Sequence, residues 1–168
     1  MSEVDFIKTT ALCAREWRDR VLGELTESGC TDLSYQPKSG MSSIGWVLAH
    51  QATVLDFSLN GLIKRGSLKN PRMGKVYTPG TSGAWDGTLL EEIHEYYDSG
   101  ESEFLEWVGE ATPDDLARVI QEGEAPAFFV GMAIRKLIAT MFTHINYHTG
   151  HLQAIHKDWL KSQAELRS

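Results

Sequence analysis

Apolar residues recur along this chain at the three-and-four spacing of helices, and no useful length alternates with period two. Residues 3–27 place Phe6, Thr10, Ala14, Trp17, Val21 and Leu25 on one face. Ser2 with Asp5 predicts a capped start for this helix, and Ser28-Gly29 predicts its stop. A second helix spans about 42–65, with Ser42 and Ser43 as cap candidates and a stripe of Val47, His50, Val54 and Phe57 ahead of a stop at Gly66. The third begins near Thr88, where Glu91 is spaced for a capping box, and carries Leu90, Ile93, Tyr97, Phe104 and Val108. Gly100 interrupts it at some cost in helix stability. Thr112-Pro113-Asp114-Asp115 has the form of an N-cap, a first-turn proline and an acidic first turn, which predicts a short extra helix. The last helix runs from about 130 to 162 with Ile134, Leu137, Met141, Ile155 and Trp159 on its stripe. The pattern predicts an all-α fold, a bundle of four main helices in a single domain over 1–168. Between helices 2 and 3 lies a long loop, 67–87, which lacks periodicity and exceeds the usual connection length.

The last helix adds chemistry to this pattern. In THINYHTGHLQAIH, His144, His148 and His151 stand at i, i+4 and i+7 within the apolar stripe, so their rings share one face. A buried row of imidazoles is hard to satisfy by hydrogen bonds alone, whereas a divalent ion satisfies it well. His50 occupies the stripe of another long helix and supplies a third ligand to the His144–His148 pair. Neutral imidazoles suit zinc, nickel or iron(II), and three protein ligands leave a position for water or substrate. His151 is then a fourth ligand, a hydrogen-bond partner or a proton carrier. Position 145 is Ile145, so HExxH and its general base are missing.

Other candidates rank lower. His156 is rotated off the stripe and is predicted to be solvated. Glu91 and His94 make a single ExxH spacing, whereas a di-iron bundle needs two. Cys13 is predicted to be a small buried hydrophobe. Asp56, Tyr96, Tyr97 and Tyr147 have the chemistry for acid–base or orienting work, although packing explains them equally well.

Charge is unevenly spread. The net charge is −7, with thirteen of the 23 acidic residues between 86 and 124. Segment 57–85 has no acid and carries Lys64, Arg65, Lys69, Arg72 and Lys75. The loop 67–87 within and just beyond it is predicted either to be a surface crossover or to act as a lid or an anion site, with Arg72 and Lys75 as the binding groups. The acidic balance argues against a nucleic-acid partner, and no apolar run approaches the roughly 20 residues of a membrane span. MSEVDFIKTT lacks the regions of a secretion signal, and the two cysteines form no CxxC. A cytoplasmic protein is the expectation.

The run SSIGWVLAHQATVLDF, followed by HINYHTGHLQAI, resembles the DinB/YfiT-like metal-binding bundles, and the similarity covers the order and spacing of most of the chain. The resemblance implies an up-down-down-up bundle, often homodimeric, holding zinc, nickel or iron. It implies His50, His144 and His148 as the ligands. Gly150 matches the family glycine, and His151 stands where a glutamine is common. Relatives include enzymes that use a low-molecular-weight thiol, such as bacillithiol or mycothiol, for S-transfer or isomerisation. The function expected here is a metal-dependent thiol S-transferase acting on a small molecule, with the basic loop holding the carboxylates of the thiol. The alternatives are a metal hydrolase, with His151 or Asp56 moving protons, and a non-catalytic bundle clamped by its ion.

Overall fold

The computed structural model describes residues 1–38 and 40–166. Helix α1 covers Glu3–Glu27. Ser2 Oγ accepts from the Asp5 amide and Asp5 returns the bond to the Ser2 amide, both at 3.1 Å. Such a cap contributes about 1 kcal/mol. The helix ends as the sequence predicts, on Gly29 at φ +75°. The Cys30 amide donates to Leu25 O at 2.9 Å and the Gly29 amide to Thr26 O at 3.0 Å, which closes a Schellman motif.

The buried face of α1 keeps Ala14, Val21 and Leu25 of the predicted stripe but takes Ile7, Ala11 and Arg18 in place of Phe6, Thr10 and Trp17. Ile7, Ala11, Ala14, Arg18, Val21 and Leu25 point inward, while Phe6 and Trp17 are exposed. The reason is Arg18, whose fully buried guanidinium lies 4.0 Å from the centroid of the Tyr97 ring. Stacking on an aromatic face offsets part of the cost of placing an arginine in the core. Cys13 falls on the outer face and is exposed, not buried as expected.

Helix α2, Ile44–Asp56, starts on the buried cap Ser43 and is buried almost all round. A Cβ on Gly45 would stand 2.4 Å from the Trp85 ring, so only glycine admits that side chain. The predicted second helix changes character in its last turns, where Phe57–Ile63 is π-helical. It ends on Arg65, which takes the left-handed conformation expected of Gly66.

Residues 64–89 cross back over the bundle and hold the short helix α3, Pro71–Val76. Helix α4 is Leu90–Glu110. The capping box expected at Thr88 and Glu91 does not form, because Leu89 is the cap residue and Thr88 turns inward to Asp86 and Tyr77. Gly100 does not break α4. It faces Leu55 of α2, and a Cβ there would lie 3.4 Å from the leucine. Helix α5, Pro113–Ala117, carries the expected capping box between Thr112 and Asp115. Helix α6, Ile134–Leu166, starts later than predicted. The chain before it folds back, with Ile120 N bonded to Met132 O and Ile134 N bonded to Arg118 O.

Contacts along the helices set their directions. Glu3 pairs with Arg135 at one end and Ser28 meets His156 at the other, so α1 and α6 are parallel. Lys8 lies against Gly109 and Arg15 pairs with Glu101, so α1 and α4 are antiparallel. Leu55 meets Gly100 and Asn60 meets Glu103, so α2 and α4 are parallel. This is the up-down-down-up bundle. Two consecutive parallel helices need a connection that returns the length of the bundle, which accounts for the long loop.

The uneven charge distribution also has a structural reason. Lys64 and Lys69 bind Glu103 at 2.8 and 2.6 Å, Arg65 binds Glu124 at 2.8 Å, and Arg72 spans Asp86 and Glu92 at 2.9 and 2.7 Å. The basic crossover is docked on the acidic half of the chain. Asp56 anchors its beginning by accepting from the Lys69 and Asn70 amides, Asn60 and the Tyr96 hydroxyl. That full set of partners gives Asp56 a structural task in place of the acid–base role considered for it. Among the described residues no helix is long and apolar enough to cross a membrane.

Burial works to raise the pKa of Glu103, but hydrogen bonds from Lys64, Lys69 and Asn60 outweigh it and bring the pKa down to about 2. A depressed carboxylate stabilises fully above its unfolded value of about 4.5 and loses that contribution as pH falls toward about 2. Glu103→Gln is therefore expected to lower unfolding free energy by about 1 kcal/mol or less at pH 7. The difference from wild type should shrink steadily below about pH 4.5 in denaturant titrations.

Candidate metal centre

His50 lies in the middle of α2 and is 2 % exposed. Its Nδ1 sits 2.6 Å from the carbonyl oxygen of Tyr77 in the crossover. A carbonyl only accepts, so Nδ1 carries the proton and the lone pair is on Nε2. Trp46, one turn earlier, stacks on the His50 ring at 4.6 Å and 18°, and its indole N–H donates to Thr81 Oγ1 at 3.0 Å. The crossover thus grips both the ligand candidate and the ring beside it.

His144 and His148 approach from α6. His144 Nε2 is 3.1 Å from His50 Nε2 and 3.1 Å from His148 Nε2, and the ligand atoms of all three residues lie within 4.8 Å of one another. One proton on His144 cannot serve both contacts, so at least one pair of nitrogens would face lone pair to lone pair. A cation removes that conflict. Nitrogens bound to one tetrahedral zinc stand about 3.3 Å apart, given bonds of about 2.0–2.1 Å. The three imidazoles could therefore hold a metal ion with little movement. Among the described residues no carboxylate joins them.

Burial keeps these rings neutral, as ligands must be. It lowers His50 to about 4 against the opposing bond to Tyr77, and lowers His148 to about 3 with help from its histidine neighbours. His144 is lowered for the same first reason, burial, followed by the nearby His151. Gln51, fully buried next to His50, donates to Ile145 O at 3.0 Å and Thr149 Oγ1 at 2.9 Å. That clamp fixes the register of α2 against α6 beside the ligands.

His151 takes one of its three anticipated positions. Its Nδ1 lies 3.3 Å from His148 Nδ1, so it meets the far side of a candidate ligand and stands outside the three-histidine cluster. With His148 Nε2 turned to the cluster, the His148 Nδ1 proton is donated to His151. Such outer partners fix the tautomer and orientation of a ligating ring. Tyr147 packs edge-on against His151 at 4.2 Å.

Two cavities flank the cluster. One, of about 540 Å³, includes His50, His144, Phe57, Phe129, Leu137 and Met141 in its wall. The other, of about 360 Å³, is lined by Ser42, Trp46, Tyr147, His148 and His151 among others. His50, His144 and Pro79 belong to both walls, so the cavities meet at the histidines.

The structure does not bring Arg72 or Lys75 to this place. Arg72 is held by Asp86 and Glu92, Lys75 is exposed, and neither lines either cavity. His156 is buried, not solvated, at 2.7 Å from Ser28 Oγ. His94 sits on α4 apart from the cluster, and Tyr97 is occupied with Arg18. Trp46, Gln51 and the Tyr77 carbonyl were not anticipated. The first two stand next to His50 in an unusually apolar run, which is a usable signal. A main-chain acceptor 27 residues away gives none.

His151→Ala retains the three clustered nitrogens and removes the partner of His148. Its affinity for zinc is expected to fall about 10- to 100-fold in competition with a chromophoric chelator. An unchanged affinity would remove the orienting role from His151.

No curated protein matches this sequence. A family model does match, over residues 14–152, from the middle of α1 to just past His151. Its family is the DinB superfamily, and this chain belongs to it.

Proposed function

We propose that this protein is a divalent-metal-dependent enzyme that joins a low-molecular-weight thiol to a small electrophile. The observation that carries this reading is the convergence of three neutral imidazole nitrogens where two cavities meet. A centre serving only to clamp helices would be enclosed by protein, whereas this one borders open space on two sides. Two compartments suit two reactants brought together at one point.

The neutral nitrogen donor set suits zinc, nickel or iron(II). When bound, such an ion supplies undiminished positive charge, which favours the thiolate form of a thiol at neutral pH. The chain's own groups hold the geometry. Tyr77 O and Trp46 keep His50 oriented, His151 keeps His148 oriented, and Gln51 keeps the two helices in register. Ser42, Tyr147 and His151 give the smaller cavity its polar groups, and we assign the thiol to that side. The sulfur gives an electron pair to the electrophilic carbon, the carbon's bond to its leaving group breaks, and the thiol proton passes to solvent.

Transfer is favoured over hydrolysis by what the walls lack. Among the described residues no carboxylate and no lysine lines either cavity, so a water molecule would find no acidic or lysine base there, and His151 is already engaged with His148. A thiol ionises without one once positive charge stands beside it.

Elemental analysis after zinc, nickel or iron(II) reconstitution is expected to give one ion per chain, with less than about a tenth of that in His50→Ala or His144→Ala, as expected for loss of one of three ligands. Circular dichroism checks that each variant is folded. Metal-loaded protein should consume model electrophiles only with a cellular thiol present, and chelation should abolish the rate. Absence of any thiol-dependent rate across a thiol panel, with the ion bound, sinks the transferase reading.

A further inference from the structure

The larger cavity has three features that the metal site does not require. Among the described residues no Asp, Glu, Lys or Arg lines it, and Phe57, Leu68, Phe128, Phe129, Leu137 and Met141 dominate its wall. Phe128 is 71 % exposed, although it packs on Phe129 with ring centroids 3.8 Å apart. A phenylalanine left that open contributes little to the core. It is held at the cavity rim by the 3₁₀ turn Ala127–Phe129, between Gly123 and Gly131, both at positive φ. Finally, the π-helical turn Phe57–Ile63 begins at the wall and brings both Phe57 and Ser58 to it. Isolated π turns recur at functional sites because they re-aim side chains.

Ser58 is the polar exception. Thr53 and Thr140, also in the wall, donate to Ala49 O and Lys136 O of their own helices. Ser58 is buried as a residue, its hydroxyl makes no side-chain hydrogen bond among the described residues, and its Oγ is left accessible from the cavity. A polar group in an apolar wall stays unsatisfied until water or a ligand reaches it.

We infer that the larger cavity receives the electrophile, and that this substrate is uncharged, with a flat, aromatic-sized apolar body and one polar group that meets Ser58. The aromatic wall covers its faces, Phe128 closes over it from the rim, and its reacting end points toward His50 and His144. A charged group on the body of the substrate, away from the histidines, is excluded because no charged side chain among the described residues of the wall compensates it there. The assignment rests on the transferase reading and narrows it to a substrate class.

Calorimetric titration of the zinc-loaded full chain tests it with two probes of equal ring size, 2-naphthalenemethanol and naphthalene-2-sulfonate. The neutral alcohol is expected to bind one to one, and the sulfonate at least about tenfold more weakly. Phe128→Ser, at an exposed position, should weaken the alcohol several-fold. Ser58→Ala should weaken the alcohol while leaving 2-methylnaphthalene unchanged. No binding of the alcohol, equal binding of the sulfonate, or indifference to Phe128→Ser overturns the assignment. The two readings fail separately. Neutral-selective binding with no thiol-dependent rate sinks the transferase alone, and a thiol-dependent rate with no neutral selectivity sinks the cavity assignment alone.

Discussion

The parallel arrangement of α2 and α4 is the constraint from which the rest follows. A chain leaving one helix and entering its parallel neighbour must travel back along the bundle, and here residues 64–89 make that journey. Once committed to the surface of α2, the crossover supplies the Tyr77 carbonyl to His50 and the Thr81 hydroxyl to Trp46. The wall of both cavities includes Pro79 from the same segment. A topological necessity has become the outer frame of the histidine cluster.

Charge of opposite sign on the two halves of the chain sets where the crossover lies. Its bases face Glu103, Asp86, Glu92 and Glu124, and single exposed pairs of this kind contribute little each. Asp56, Met73, Tyr77 and Trp85 do the heavier work, through buried hydrogen bonds and packing. The pairs give register more than stability. They place the crossover so that the right carbonyl stands over His50.

Much of this was visible in the amino-acid order because helices and imidazoles announce themselves locally. His50, His144 and His148 combine a helical stripe with ligand chemistry, so periodicity alone brings them to one place. The face of α1 was misjudged because Arg18 takes a core position by stacking on Tyr97, and no local pattern shows what lies opposite. His156 looked solvated because its partner Ser28 is 128 residues away. The basic segment looked like an anion site because most of its acidic partners, Glu92, Glu103 and Glu124, come from later parts of the chain. The late start of α6 follows from hydrogen bonds between residues 118–120 and 131–134, which no helical periodicity encodes. In each case the missing information was a contact between distant parts of the chain.

The acceptor that orients His50 belongs to the main chain, and this has an evolutionary consequence. Substituting residue 77 changes a side chain but leaves its carbonyl in place, so the ligand's tautomer survives mutation as long as the path of the crossover does. Side chains of the crossover that border the cavities, among them Leu68, Thr78 and Pro79, are then free to change. A protein built this way can reshape its cavities while the geometry of its three histidines stays constant.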